Sequence, residues 1–256
     1  MKKNLSILIT NDDGIQSGGL KALIEAIQPF GDITVVAPDM PMSGMSHAIS
    51  VNVPLSLTQV SKEAGITIYK SNGTPADCVK MALSILFESK PDFVLSGINH
   101  GSNSSTNIHY SGTLGGAREG ALSGIPSIGF SLLDYSADAD FTTAIKYSRQ
   151  IFRSFLENGM NPNSLYNINI PNITDIKGIK VSRQAKGRWI EEYDKYISPH
   201  GDTHYYLTGK FVNDEPEATD TDEWALNNGY VSLMPCTLDG TCYETIKEFK
   251  VLKEET

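Results

Sequence analysis

The stretch of sequence that decides the fold is Ile7-Leu8-Ile9-Thr10-Asn11-Asp12-Asp13-Gly14. Its apolar half is typical of a strand buried in a parallel sheet, because both faces of such a strand are covered. The adjacent carboxylates repel each other unless a cation lies between them, and hard divalent cations take oxygen ligands of this kind. The pattern favours a metal site at the end of the first strand. Its alternative is an acid pair that caps a helix or lies in a solvated turn.

The composition is that of an ordinary globular chain. The 256 residues, 40% hydrophobic and 20% charged, suffice for a sizeable core. No apolar run reaches transmembrane length, and the run after Lys2 and Lys3 is too short for a secretory signal. We therefore expect a cytoplasmic protein with no membrane partner. The cysteines are odd in number and lack CxxC pairing, so free thiols are expected at Cys78, Cys236 and Cys242.

The net charge of −9 narrows the range of partners. A protein that holds a polynucleotide normally carries a basic stripe, and the sequence contains none. An acidic protein can still bind phosphate through a metal ion and backbone N–H groups. Small phosphorylated ligands therefore fit, and long polynucleotides do not.

The first half of the chain alternates strand-like and helix-like segments. Expected strands cover about 5–10, 33–37, 49–57, 66–70, 92–96 and 126–130, and expected helices lie near 20–27, 75–86 and 138–157. The second of these helices has an apolar stripe that includes Ile85. The alternation predicts an α/β fold, a mostly parallel sheet with helices on both faces. Ligands then bind beyond the carboxyl ends of the strands, where the loops 11–18, 38–47 and 97–110 can meet.

The second half is less regular. Residues 183–210 carry five aromatic side chains among charged residues, namely Trp189, Tyr193, Tyr196, Tyr205 and Tyr206. A Pro-His-Gly turn is expected at 199–201. We interpret this segment as an arm that packs on another subunit rather than as a separate domain. The prediction is one domain over 1–256, with a core over about 1–180 and an oligomerisation arm and C-terminal extension over about 181–256.

Two loops carry the remaining candidate chemistry. The connection 97–110 has no Lys, Arg, Asp or Glu, and Asn99 and Asn103 can offer oxygen to a metal or N–H to a phosphate. A flexible surface loop is the alternative. Next, Ser111 and Thr113 open a glycine-rich helix, which favours an anion site at the helix start, or else a plain N-cap.

Three histidines lie on these loops, namely His47, His100 and His109. Each is a candidate for proton transfer, although loop histidines are more often simply exposed. No GxSxG elbow accompanies them, and nothing in the sequence indicates a Ser–His–Asp triad.

Together these segments resemble the SurE family of survival proteins, which are metal-dependent nucleoside-monophosphate phosphatases. The matching segments are 9–14, 37–39 with 43–44, 73–78, 96–103, 110–120 and, later, 220–222 with 229–233. The resemblance implies a Rossmann-like core and a C-terminal extension used in dimer or tetramer assembly. One departure is Met40-Pro41-Met42, where the family often carries polar or basic residues.

The resemblance also implies a site. One divalent ion per subunit, Mg²⁺ or Mn²⁺, would be held by Asp12, Asp13, Ser43 and Asn99. The phosphate would face Asn103, Ser111, Gly112 and Thr113. The expected catalytic residues are Asp12, Asp13, Asn103 and Ser111.

The expected activity is hydrolysis of nucleoside 5′-monophosphates, with 3′-monophosphates and short polyphosphate as further substrates of some members. The nucleophile is a metal-activated water or Asp12 itself. The alternative function is a nucleotide-binding regulatory module without turnover. A receiver domain needs a later phosphoacceptor aspartate and a lysine, and a haloacid-dehalogenase-type phosphatase needs Asp-x-Asp, so neither fits. The preferred base and metal and the choice between dimer and tetramer are left open by the sequence.

Overall fold

The first strand, β1 (Leu5–Thr10), lies in the interior of the main sheet, as its apolar run predicts. The computed structural model describes residues 4–161 and 164–248. β1 pairs in parallel with β2 (Gly31–Pro38) on one side and with β5 (Phe93–His100) on the other. The strand order thus reverses at β1, and ligands of open α/β sheets bind at the carboxyl ends of the strands beside such a reversal.

Both halves of the chain contribute to the main sheet. Its other strands are β3 (Leu57–Glu63), β4 (Ile66–Ser71), β6 (Ser127–Leu132), β7 (Leu165–Ile170), β8 (Ile179–Val181) and β13 (Val231–Cys236). In the described part of the chain the order is β3-β4-β2-β1-β5-β6-β7-β13-β8. Neighbours are parallel except β3 with β4 and β13 with β7. Residues on both sides of position 181 therefore build one sheet.

Helices cover both faces of this sheet. They are α1 (Gly18–Ile27), α2 (Pro75–Met81), α3 (Gly112–Leu122), α4 (Thr142–Asn158) and α5 (Asp222–Asn227). A further helix, α6 (Tyr243–Glu248), follows β13 in the chain. Successive side chains of a strand point to opposite faces. Ile7 and Ile9 accordingly lie in the core beneath α1 and α4, whereas Leu8 lies in a second core with Val79 of α2. The predicted α/β fold with both faces covered is confirmed.

The expected strand over 49–57 is wrong, because the strand begins only at Leu57. In the preceding segment the alternating Ile49, Val51 and Val53 are exposed. The Ser50 N–H and hydroxyl instead bind the Asp77 carboxylate of α2. Hydrogen bonds from this segment therefore reach a helix start rather than a neighbouring strand.

Two boundaries also differ from expectation. Residues Ala82–Leu86 form a π-helical turn, which rotates the helix face and leaves Ile85 exposed outside the core. β5 continues through His100, so the first part of the expected loop 97–110 is strand. Its pairing with β6 is irregular between Ser96 and Asn99, and such irregularities re-aim side chains near sites.

The segment 187–213 forms two antiparallel strand pairs outside the main sheet. β9 (Gly187–Ile190) pairs with β12 (Lys210–Asn213), and β10 (Tyr193–Ile197) pairs with β11 (Thr203–Leu207). A turn joins β10 to β11, where the Ser198 N–H donates to the Asp202 carbonyl oxygen. Every residue of β10 and β11 is exposed.

Within residues 4–161 and 164–248, no helix combines the length and the hydropathy that a bilayer crossing requires.

Candidate active site

The two adjacent acids lie on the turn that follows β1. Gly14 allows this turn with a φ of +89°, and its backbone is so close to Met40 that an added Cβ would lie 3.3 Å from the Met40 carbonyl carbon. The Ile15 N–H donates to the Pro38 carbonyl oxygen at 2.8 Å. The loops after β1 and β2 are therefore joined at the crevice.

Asp12 is buried against the start of α3, with only 4% of its surface exposed. Its carboxylate accepts a hydrogen bond from the Thr113 hydroxyl. Gly112 packs directly on it, since a Cβ at that position would lie 2.8 Å from the Asp12 Cβ. Burial raises the pKa of Asp12 to about 6, although the Thr113 hydrogen bond opposes this, and the charge of Asp13 adds to the rise.

Asp13 is tied to the end of β5. Its carboxylate accepts a hydrogen bond from the His100 backbone N–H at 3.1 Å. Burial raises the pKa of Asp13, while that hydrogen bond and the charge of His100 lower it. Burial disfavours the charged form of both neighbouring carboxylates, and a cation bound between them would stabilise that charged form.

The residues next to Ser43 and Asn99 in the chain form hydrogen bonds with Asp12 and Asp13. The Met42 N–H donates to the Asp12 carbonyl oxygen at 2.7 Å, and the next residue, Ser43, is exposed. The Asn99 amide N–H group donates to the carbonyl oxygens of His100 and Gly101, so its Oδ1 is left as an acceptor. The loops that carry the four expected ligands therefore adjoin, through Met42 at Asp12 and through His100 at Asp13.

The donor set fits a hard divalent ion. It offers carboxylate, hydroxyl and amide oxygens, which Mg²⁺ and Mn²⁺ prefer. The Asn11 Oδ1, next to Asp12 in the chain, is buried without a hydrogen-bond partner among the described residues. No group of three or more His, Cys, Asp and Glu side chains suited to a metal occurs in the described ranges. The fit thus depends on the Ser and Asn oxygens beside the two acids.

The start of α3 supplies an anion-binding end beside Asp12. Ser111 is its N-cap, and its hydroxyl accepts from the Leu114 N–H at 3.0 Å. The N–H groups of Gly112 and Thr113 precede the first intrahelical bonds. The Thr113 N–H donates to the Asp12 carboxylate, which leaves the Gly112 N–H as the donor for a further anion. The helix is held in place by Gly115, where an added Cβ would lie only 2.0 Å from the Ser46 carbonyl oxygen.

Asn103 belongs to a buried network of hydrogen bonds. Its side-chain amide donates to the Ser131 hydroxyl at 2.7 Å, and its backbone N–H donates to Asn169 Oδ1 at 2.8 Å. Its carbonyl oxygen accepts from Asn167 Nδ2 at 2.7 Å. The sequence analysis missed the three partner residues. Their signal is the pair of asparagines at alternate positions of β7, polar residues inside an otherwise apolar strand.

A second missed group fastens the loop that follows β5. The buried Asp222 carboxylate accepts from the N–H groups of Ser105 at 2.8 Å and Ala185 at 2.9 Å, and burial raises its pKa. Glu223 accepts from the Ser104 hydroxyl at 2.5 Å. The resemblance singled out the segment 220–222, but nothing in the sequence shows which loop it binds.

The three loop histidines have other partners. His47 lies 3.0 Å from the Glu119 carboxylate, which also accepts from Lys80. The His100 ring lies 3.0 Å from the Ser136 carbonyl oxygen, and the His109 ring lies 3.3 Å from the Gln184 amide. Their expected role in proton transfer stays a prediction.

Comparison with known proteins shows which family the chain resembles. The model of the family "Survival protein SurE" matches residues 7–191. A 5′-nucleotidase SurE of Phocaeicola vulgatus is 45% identical over 249 residues, covering 97% of each chain. A 5′-nucleotidase SurE of Christiangramia forsetii is 49% identical, covering 96% of each chain. The crystal structure of the SurE protein from Aquifex aeolicus matches with a TM-score of 0.83 and 40% identity, over 97% of this chain and 99% of that one.

Proposed function

The chain belongs to the SurE family of survival proteins, and we propose on that basis that it is a 5′-nucleotidase, a phosphatase that releases phosphate from nucleoside 5′-monophosphates. One observation carries the proposal. Buried Asp12, the first acid of the pair after β1, contacts the start of α3 through the hydrogen bond from Thr113. Carboxylates and an anion-binding helix end thus adjoin, which is the arrangement that phosphate-ester hydrolysis needs.

The proposed phosphate-binding part consists of Ser111, Gly112 and Thr113, with the Gly112 N–H as its backbone donor. A helix start favours negative charge through its free N–H groups and its dipole. Because these donors are fixed by the N-cap, they stabilise the charge of the transferring phosphoryl group without reorganisation. Asn103 is proposed to orient a phosphate oxygen from the neighbouring loop.

The metal-binding part consists of Asp12, Asp13, Ser43 and Asn99. A bound Mg²⁺ or Mn²⁺ ion would supply Lewis-acid stabilisation and orientation. The raised pKa values of both acids support this role, because a nearby cation favours the charged carboxylates that burial disfavours.

Asp12 also suits proton transfer. A carboxylate whose pKa lies at about 6 can accept a proton from an attacking water near neutral pH. The competing role is direct attack by Asp12 on phosphorus. Rapid quenching of a reaction with labelled substrate distinguishes the two, since only direct attack leaves labelled phosphate on the protein.

Two finer statements belong to the same proposal. The first is activity on nucleoside 3′-monophosphates and short polyphosphate. The second is assembly into a homodimer or homotetramer, for which the exposed Tyr196, Ile197, Tyr205 and Tyr206 of β10 and β11 are the proposed contact surface.

Phosphate release from 5′-AMP, 3′-AMP and tripolyphosphate in the presence of Mn²⁺ tests the activity. We expect release from 5′-AMP. Binding of 5′-AMP without release of phosphate would contradict the proposal and favour the regulatory module instead.

A further inference from the structure

A cleft with aromatic walls adjoins the start of α3. Its volume is about 440 Å³, within the range of small-molecule sites. We call it the aromatic cleft, and it is lined by Asn107, Tyr110, Trp189, Glu192, Tyr193, Leu207 and Thr208. We propose that the aromatic cleft binds the base of the nucleotide whose phosphate lies at the start of α3. This inference rests on the proposed function and adds the location of the base.

Position is the first argument. Tyr110 immediately precedes the N-cap Ser111, so its Cα lies within about 8 Å of that of Gly112, two peptide units along the chain. Because Tyr110 lines the aromatic cleft, the cleft and the start of α3 share this short piece of chain, and the proposal places the base of the nucleotide against the Tyr110 ring. The cleft continues the phosphate site along the chain and is not a remote cavity.

Preorganisation is the second argument. The Tyr110 N–H donates to the Asn107 carbonyl oxygen at 3.0 Å, and the Tyr110 carbonyl oxygen accepts from the Ser46 N–H at 3.0 Å. The backbone is thus held on both sides, while 60% of the side chain is exposed. A fixed backbone that presents an exposed ring pays little entropy when a flat ligand stacks on it.

The opposite wall is fixed to the same loop. The Trp189 indole N–H donates to Asn107 Oδ1 at 2.9 Å, and the Trp189 ring packs edge-on against Phe211 with centroids 5.9 Å apart. The polar edge of the indole is therefore satisfied. Tyr193 follows shortly in the chain and is 66% exposed.

Charge is the third argument. None of the side chains that line the aromatic cleft is a Lys, Arg or His, and one of them is the carboxylate of Glu192. A second phosphate would meet a carboxylate and no cation there, whereas a neutral base meets aromatic faces. Stacking of this kind tolerates every base, because each base has a π-face. The cleft therefore favours a nucleoside over an inorganic or sugar phosphate.

The test compares two substrates that share a 5′-phosphate and differ in the base. Phosphate release from AMP and from ribose 5-phosphate gives two kcat/KM values, and their ratio measures recognition of the base. Tyr110→Ala and Tyr193→Ala should each lower this ratio about tenfold, the loss expected when one stacked ring is removed. Tyr110→Phe should restore the ratio, because the ring is kept.

Tyr243→Ala is the matched control. Tyr243 is 62% exposed, close to Tyr110, but it lies on α6 and does not line the cleft. Its ratio should equal that of the unchanged protein. An equal kcat/KM for AMP and ribose 5-phosphate, or ratios unaffected in both cleft variants, would overturn the inference and leave the phosphatase in place. Failure to hydrolyse either substrate would remove the proposed function, and the inference with it.

Fluorescence supplies a readout without turnover. The chain has two tryptophans, so Trp224→Phe leaves Trp189 as the reporter. In chelator, AMP should quench this fluorescence and ribose 5-phosphate should not. Identical responses to the two ligands would contradict a base in the aromatic cleft.

Discussion

Asp12 illustrates at the scale of one residue how a functional group costs stability. Its carboxylate is almost fully buried, and burial raises its pKa from 3.8 to about 6. Between these pH values the folded protein binds the proton more tightly than the unfolded chain. The contribution of Asp12 to the free energy of unfolding is therefore most favourable below about pH 4 and decreases as the pH rises to about 6. Above that pH it stays at its least favourable value.

Asp12→Asn should accordingly stabilise the metal-free protein while it removes activity. At pH 8 the expected gain in the free energy of unfolding is up to about 3 kcal/mol, because the amide keeps the shape without the buried charge beside Asp13. The gain should vanish near pH 4. Denaturant unfolding in chelator at the two pH values measures it, and a variant that is less stable at pH 8 would contradict this account.

The three cysteines offer a second prediction at this scale. Cys242 is exposed and its pKa is lowered by the Thr245 hydroxyl, whereas burial raises the pKa of Cys236 to about 11 and that of Cys78 to about 12. The thiolate is the reactive form. A thiol reagent should therefore label one fast site, and Cys242→Ser should abolish it. A fast phase that survives in this variant would refute the assignment.

At the scale of elements, α3 is the part that joins the loops of the site. Its glycines let it approach the loop after β2, with Gly115 against the Ser46 carbonyl oxygen. Gly115→Ala should force these parts to separate, lower the free energy of unfolding by about 1–3 kcal/mol, and reduce kcat/KM by about a hundredfold through misplacement of the site.

Gly240→Ala is the control for this change. An added Cβ there meets nothing within 4 Å, so stability and activity should stay as they are. Thermal unfolding and phosphate release on both variants decide the matter. Equal behaviour of the two variants would show that the close approach of α3 is unimportant.

The same scale shows which elements could be predicted from sequence. α1 was predictable because its apolar spacing gives one buried face, and α2 because Thr74 and Asp77 form a capping box with Pro75 at the first position. The segment 49–57 has equally regular alternation, but its polar groups bind distant Asp77 and Asn72. Alternation indicates a strand only where a neighbouring strand is available, and that depends on the whole fold.

The residues of the site also fall into those that the sequence reveals and those that only the fold reveals. Asp12, Asp13 and Ser111 are visible in the sequence because each marks the end or start of an element. Asn103 lies 28 residues from Ser131, 64 from Asn167 and 66 from Asn169 in the chain. Ser105 lies 117 residues from Asp222, so local patterns could not pair these residues.

At the scale of the whole molecule, the open question is how copies associate. Outside the aromatic cleft, β10 and β11 expose a cluster of large side chains, namely Tyr196, Ile197, Tyr205 and Tyr206. Exposed clusters of this kind mark association surfaces. Tyr205→Ser with Tyr206→Ser should therefore lower the oligomer mass found by light scattering, and an unchanged mass would exclude this surface.

The central claim is that the acid pair after β1 holds a divalent ion on which phosphate release depends. The most direct test is AMP hydrolysis by the chelator-treated protein before and after addition of Mn²⁺, beside Asp12→Asn and the exposed control Asp175→Asn. We predict that Mn²⁺ restores phosphate release in the unchanged protein and in the control, and that Asp12→Asn stays inactive. Full activity in chelator, or in Asp12→Asn, would contradict the account.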